Sequence, residues 1–77
     1  MIHQNLTTIY EVTVAGSLEE LTRDGGNLHQ FSRKAEAERF AMKMKKEFPY
    51  VYFEKCFAHD GVYESSEMIW SHNPNNW

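Results

Sequence analysis

The chain has 77 residues, of which 42% are hydrophobic and 14% aromatic, and its formal net charge is −3. A chain of this length forms one domain and buries only about 60% of the surface that its unfolded state exposes. Cys56 is the only cysteine, which excludes stabilisation by an internal disulfide. The acidic charge disfavours a general nucleic-acid binder, because such domains are typically basic.

Targeting signals are not evident at the start of the chain. Residues Met1 to Leu6 show neither a basic start nor an apolar run, so we expect no signal peptide. The longest strongly apolar stretch, Tyr50 to Phe53, is far too short to span a bilayer. A single thiol also fits a reducing compartment. We therefore expect a cytoplasmic protein with no membrane segment.

The first predicted element is a strand from Leu6 to Val14, rich in Thr, Ile, Tyr and Val. Its residues alternate with a period of two, which is typical of a half-buried strand. One set is Tyr10, Val12 and Val14, and the other is Ile9, Glu11 and Thr13. The dipeptide Ala15-Gly16 is expected to end the strand.

Two interpretations fit the residues that follow Gly16. Ser17 and Glu20 have the spacing of a capping box, which favours one turn of helix. Alternatively, Leu21–Arg23 and Leu28–Phe31 form a hairpin around the turn residues Asp24 to Asn27. We favour the hairpin, because four turn residues flanked by short alternating runs fit it directly.

An amphipathic helix is the clearest predicted element, and we expect it over Arg33 to Phe48. Ser32 is the predicted N-cap, because its hydroxyl can accept a backbone hydrogen bond. Pro49 disfavours a helical conformation for Phe48 and ends the helix. One apolar stripe follows helical spacing: Ala37, Phe40, Ala41, Met44 and Phe48.

A second hairpin is predicted after Pro49, where the period returns to two. It consists of a strand Tyr50–Ala58, a turn His59–Val62 and a return strand Tyr63–Ser71. A two-residue loop at Asp60-Gly61 pairs residues whose numbers add to 121. The helix-facing side of this hairpin is then Val51 opposite Trp70 and Phe53 opposite Met68.

The other side of the hairpin is predicted to be open to solvent. Glu54 faces Glu67 there, and like charges directly opposite each other are unfavourable unless they are hydrated. The same side displays an aromatic patch, Tyr50, Tyr52, Tyr63 and Ile69. A monomer has little reason to expose such a patch.

The elements together predict an α+β fold. We expect an antiparallel sheet of four to five strands with one amphipathic helix packed on one face, in the order β-ββ-α-ββ. Residues 1–77 form a single small domain, and residues 72–77 are expected to be a C-terminal coil tail. Whether Trp77 docks back on the domain stays open.

Candidate catalytic and metal residues are present but poorly arranged. Cys56, His59 and Asp60 resemble a nucleophile with its base, yet a strand thiol and turn residues should diverge. Zinc sites need paired ligands at short spacing, which one cysteine and four scattered histidines do not supply. We therefore expect no enzyme activity, no metal and no cofactor.

A basic ridge on the helix is one candidate surface. Six of the eight Lys and Arg residues fall between residues 33 and 46, and Arg39, Lys43 and Lys46 line up opposite the apolar stripe. Such a ridge can contact phosphates or an acidic partner. We favour a solvated face, on which local glutamates pair with these cations.

The aromatic patch is the candidate that we prefer. The strands around it carry four glutamates and only Lys55, and these glutamates would repel the phosphates of RNA. Aromatic side chains at the centre of a surface are typical of a protein interface. The sequence therefore predicts a small non-enzymatic protein-binding module, an inhibitor or adaptor of the kind that phages and mobile elements encode. The alternatives are nucleic-acid binding through the ridge, which we expect less, and homodimerisation through the sheet.

Overall fold

A computed structural model describes residues 6–74 of the chain. This part has the predicted α+β fold, with four strands and two helices. No helix within it is long and apolar enough to cross a membrane. The elements in chain order are β1 (Leu6–Ala15), α1 (Leu18–Asp24), β2 (Asn27–Phe31), α2 (Lys34–Lys45), β3 (Tyr50–His59) and β4 (Val62–His72).

The four strands form one antiparallel sheet in the order β2-β1-β3-β4. β1 and β3 pair along their whole length, from Leu6 opposite His59 to Ala15 opposite Tyr50. β2 covers only the second half of β1, from Tyr10 to Val14. Because β4 is last in the strand order, this long strand is one edge of the sheet.

Helix α2 packs on one face of this sheet and makes the core with it. Its buried residues are Ala37 and Ala41, and their small side chains let the helix approach the strands closely. The predicted stripe is confirmed, because Phe40, Met44 and Phe48 pack around the same core. The sheet contributes four side chains that are at most 2% exposed: Val12, Val14, Val51 and Phe53.

The bounds of α2 differ from the prediction at both ends. Ser32 is not the N-cap; the cap is Arg33, whose side chain makes no capping hydrogen bond. The first helical bond runs from the Ala37 N–H to the Arg33 carbonyl, over 3.2 Å. After Lys45 the helix ends in a turn, in which the Phe48 N–H donates to the Met44 carbonyl oxygen over 2.8 Å.

The hairpin predicted after Gly16 is wrong, and the capping-box interpretation is right. Ser17 caps α1 by accepting a hydrogen bond from the Glu20 N–H over 3.1 Å. The Glu20 carboxylate in turn accepts one from the Gly16 N–H over 3.4 Å. These local bonds stabilise a short helix where a strand was expected.

The two glycines that suggested a hairpin turn end this helix instead. Gly25 has a φ of 77° and donates to the Leu21 carbonyl over 2.9 Å. This is the left-handed C-terminal cap that glycine favours. Gly26 follows with a φ of 80°, and a Cβ there would lie 3.0 Å from the Val14 carbonyl oxygen. Its missing side chain therefore lets β2 start beside β1.

The loop between β3 and β4 has the predicted two-residue form. Asp60 and Gly61 have φ values of 52° and 81°, as a type I′ turn requires. His59 pairs with Val62 and Ala58 with Tyr63, as predicted. Beyond these pairs the register shifts twice, because Glu64 and Ile69 each form a β-bulge in β4.

The bulges correct the predicted pairing of β3 with β4. Trp70 lies opposite Phe53, not Val51, although it keeps its place on the core face. Met68 lies opposite Glu54 on the other face and is 48% exposed, so its assignment to the core is wrong. Ile69 packs against the core, so its predicted position in the aromatic patch is wrong.

Two further predictions concern residues at the ends of the chain. β4 continues to His72, so the predicted coil tail starts later than residue 72. The docking of Trp77 and the segment Met1–Asn5 lie outside the described residues.

The sheet is much longer than the helix that covers it. The 10 residues of β3 span about 33 Å, whereas the 12 residues of α2 span about 18 Å. Val51 and Phe53 are buried under α2, but the buried residues of the second half of β3 are Cys56 and Ala58, on the opposite face. The buried residues of β3 therefore switch from the face under α2 to the opposite face halfway along the strand.

Candidate protein-binding face

The face of the sheet turned away from α2, here called the open face, holds the candidate site. Three of its large apolar side chains are well exposed: Leu28 (54%), Tyr63 (55%) and Met68 (48%). α2 contacts the opposite face, and α1 contacts mainly β1. The well-exposed side chains thus lie on the outer strands β2 and β4, whereas Glu11 and Cys56 on the inner strands are buried.

One row of side chains crosses the open face through all four strands. Gln30 lies opposite Glu11, Glu11 opposite Glu54, and Glu54 opposite Met68. These four residues, here called the central row, belong to β2, β1, β3 and β4 in that order. The register alone brings them together, because they come from four distant parts of the sequence.

Two carboxylates stand side by side in the central row. Directly opposed residues have their Cβ atoms about 5 Å apart, so Glu11 and Glu54 (the carboxylate pair) are neighbours. Glu11 is only 9% exposed, and its Oε2 accepts a hydrogen bond from Gln30 Nε2 over 2.8 Å. Glu54 Oε2 accepts one from Ser66 Oγ over 3.4 Å.

The carboxylate pair has no cation beside it within residues 6–74. The basic members of the ion pairs in this part are Arg23 and His59, and their partners are other acidic residues. None of the open-face positions of the described strands is a lysine or an arginine. The negative charge at the centre of the face is therefore uncompensated by any residue from 6 to 74.

Cys56 lies next to the carboxylate pair, and its thiol is unreactive. The thiol is 1% exposed, and the Tyr63 hydroxyl donates a hydrogen bond to its sulfur over 3.5 Å. Burial raises the pKa of Cys56 to about 11; the Tyr63 hydrogen bond opposes this, and the nearby carboxylates add to it. The thiol therefore stays protonated at neutral pH, which makes it a poor nucleophile.

His59 does not approach this thiol. His59 is three positions after Cys56 in β3, so the two side chains leave the sheet on opposite faces. The imidazole instead lies 3.5 Å from the Asp60 carboxylate and 3.3 Å from that of Glu64. The divergence of Cys56 from His59 and Asp60 agrees with the expectation from the sequence.

The predicted aromatic patch is divided in the structure. Tyr50 and Tyr52 lie together at one side of the central row, and Tyr63 lies beyond it at the other side. Ile69 is absent from this face; the exposed Leu28 lies beside the central row, and the exposed Met68 is the last member of that row. Sequence reasoning missed both, Leu28 because β2 was paired with the wrong segment and Met68 because of the bulge.

The predicted basic ridge is exposed on the other side of the molecule. Arg39, Lys43 and Lys46 are all solvent-accessible on or just after α2. The local pairs expected with neighbouring glutamates do not form within the described part of the chain. The amine of Lys45 lies 5.7 Å from the Trp70 ring.

Residues 6–74 contain neither an enclosed cavity nor a cluster of metal-binding groups. No pocket forms there, and no three His, Cys, Asp or Glu side chains come together as a metal site would need. Comparisons of the chain with models of known protein families, with curated proteins and with solved structures found no match.

Proposed function

We propose that this chain is a non-enzymatic, cytoplasmic protein-binding module, an inhibitor or adaptor that docks on another protein through the open face. The observation that carries the proposal is the exposure of Leu28, Tyr63 and Met68 around an uncompensated carboxylate pair. Large apolar side chains around a few polar groups are typical of protein interfaces. The lone Cys56 is compatible with a reducing compartment.

The composition of the open face favours a protein over a nucleic acid. Single-stranded nucleic acids bind to sheets that combine aromatic rings with positive charge. Here Tyr50, Tyr52 and Tyr63 accompany two carboxylates and no lysine or arginine. Phosphates would be repelled from the centre of the face, whereas a protein surface can supply complementary charge.

The edge of the sheet is a weaker candidate for docking than its face. β4 is 11 residues long and would offer its backbone to a partner strand. However, the bulges at Glu64 and Ile69 interrupt its ladder, and bulges on an edge strand are a known protection against pairing. Homodimerisation through β4 is therefore disfavoured.

Affinity capture from a lysate of the source cell, quantified by isotope labelling, tests the proposal. We expect at least one protein to be retained by the wild type and lost with Leu28→Ala or Tyr52→Ala. Leu18→Ala is the matched control, because Leu18 is 56% exposed on α1 and Leu28 is 54% exposed on the open face. Retention of the same proteins by all four chains would contradict the proposal.

Nucleic-acid binding through the basic ridge is the second candidate. It is favoured by one observation, the absence of ion pairs at Arg39, Lys43 and Lys46 within residues 6–74. Such binding would fall steeply with salt and weaken with Lys43→Glu. Titration of a labelled oligonucleotide at two salt concentrations distinguishes it from docking by the open face.

A further inference from the structure

We infer that the partner presents an arginine side chain, which inserts at the open face between Leu28 and Tyr63 and pairs with Glu11 and Glu54. The inference rests on the proposed function and specifies the chemistry of the partner. It follows from three observations on the central row: its charge, its burial and its surroundings.

The charge of the site has no counterpart in the part of the chain that the structure describes. Lys55 is the nearest basic residue in sequence to Glu54, but it lies on the other face, where its amine is 5.3 Å from the Phe57 ring. Arg23 is engaged with Glu19 and Asp24 on α1. A positive group from outside is therefore the complement that the face lacks.

Burial makes that complement necessary when a partner docks. Glu11 is already buried in the free chain, with only 9% of its surface exposed, and the Gln30 amide is its hydrogen-bond donor. A docked partner would also remove water from Glu54, which lies half-buried beside it. Burying two carboxylates without a cation is costly, whereas a charge-assisted pair offsets much of that cost.

The surroundings favour arginine over lysine. A guanidinium group can donate two parallel hydrogen bonds to carboxylate oxygens, and its flat faces stack on apolar and aromatic side chains. The row on one side of the carboxylate pair contains Leu28 and Tyr52, and Met68 ends the central row itself. These side chains would cover a guanidinium while both glutamates bind it.

A second copy of the chain is a poorer occupant than a different protein. Two open faces meeting about a two-fold axis would bring the two carboxylate pairs toward each other, which is repulsive. The cations of α2 lie on the opposite side of the sheet, so α2 of one copy on the open face of the next gives a head-to-tail arrangement, which forms a ring or an open filament and not a two-fold dimer. We therefore assign the arginine to a heterologous partner.

Nuclear magnetic resonance titration of the full chain tests the cation site without the partner. The probe is Nα-acetyl-arginine N-methylamide, compared with its citrulline analogue, which has the same shape and no charge. We expect saturable shifts at the amides of Glu11, Gln30 and Glu54 with the arginine compound only, at about 1–50 mM as for a single contact. Shifts that are absent, or equal for both compounds, would overturn the inference.

Matched charge variants identify the site. Glu54→Gln should abolish the response, and Glu67→Gln should preserve it, because Glu67 lies opposite Lys55 on the other face. Loss of folding is not the expected result of Glu54→Gln, since it removes a like charge from beside Glu11. An unchanged response in Glu54→Gln would contradict the assignment.

The captured partner separates this inference from the proposed function. We expect Glu54→Gln to weaken capture about ten- to hundredfold, as loss of a charged hydrogen bond does, and Glu67→Gln to leave it unchanged. Loss of capture with Leu28→Ala but not with Glu54→Gln would reject the arginine and keep open-face docking. Self-association that disappears with both Glu54→Gln and Lys43→Glu would reject a heterologous partner.

Discussion

The Cys56 thiol, enclosed by the sheet and by Tyr63, gives the folded chain a specific response to alkaline pH. Its pKa is about 11 in the folded state, against an ordinary value of 9.0. Since the folded value is the higher one, the stabilising contribution is fully present below pH 9 and is lost as the pH rises toward 11. We expect the free energy of unfolding to fall across this window by at most about 1.4 kcal/mol per pH unit.

Urea denaturation at pH 8, 9, 10 and 11 checks this expectation against Cys56→Ala. The variant lacks the thiol, so its stability should depend less on pH in this range than that of the wild type. A hydrogen bond with Ser66 lowers the pKa of Tyr63 and the one with Cys56 raises it, so the difference between the two chains reports the Cys56–Tyr63 pair together. Parallel curves for the two chains would show that the thiol is not responsible.

Glu11 shows where inference from single residues reached its limit. The alternation of β1 correctly placed it on the side opposite Val12 and Val14. Its neighbour Glu54 could not be deduced, because the sequence does not state that β1 pairs with β3 or in which register. The prediction instead placed Glu54 opposite Glu67, whereas Met68 occupies that position. The carboxylate pair is thus a product of long-range pairing.

At the scale of single elements, α1 depends on its caps more than on packing. None of its residues is buried, so hydrogen bonds at its ends carry much of its stability. We expect Ser17→Ala to cost about 1 kcal/mol, as loss of an N-cap does. Ser32→Ala is the matched control, because Ser32 is exposed and does not cap α2.

Thermal or urea unfolding of these two serine variants measures the difference. The Ser17 variant should be less stable than the Ser32 variant by about the value of one cap. Equal stability of the two chains would mean that α1 frays without affecting the rest of the domain. In that event, amide exchange within Leu18–Asp24 would report the loss instead.

Elements specified by nearby residues were predictable from the sequence. The apolar stripe of α2 and the Asp60-Gly61 turn depend on spacings and glycine positions that can be read directly. The interpretation of α1 failed because the same glycines serve a helix cap and a hairpin turn. The bulges at Glu64 and Ile69 have no comparable local signal.

The two bulges also explain which predictions for β4 survived. The bulge at Glu64 moves the following residues to the face opposite the predicted one, and the bulge at Ile69 returns the chain to the predicted faces. Tyr63 before the first bulge and Trp70 after the second therefore kept their predicted faces. Met68, which lies between the bulges, changed sides, and Ile69 in the second bulge turned toward the core. The predicted binding patch thus lost one member and gained another.

At the scale of the whole molecule, the elongated shape implies uneven stability. The extents are 49 × 26 × 19 Å, and α2 lies on the half of the sheet that contains Val12 and Phe53. The other half consists of three strands without a helix above them. We expect its amides, such as Thr7 and Ala58, to exchange through openings of lower free energy than those of Glu11 and Glu54.

Native-state hydrogen exchange of the full chain measures this difference residue by residue. Thr7 and Ala58 are paired neighbours, as are Glu11 and Glu54, and the two pairs lie four positions apart, so they have the same place in the alternation of the antiparallel ladder. A single exchange free energy for both pairs would show that the sheet opens as one cooperative unit. It would also mean that α2 stabilises strands that it does not touch.

The placement of charge in the fold has a consequence for how a partner arrives. The cations of α2 lie on one side of the sheet and the carboxylate pair on the other, so the molecule carries an electric dipole across its thin dimension. A positively charged surface approaching from solution would exert a torque on this dipole and turn the open face toward itself before contact. Ionic strength should therefore act mainly on the rate of association, while the lifetime of the complex depends on the contacts made afterwards.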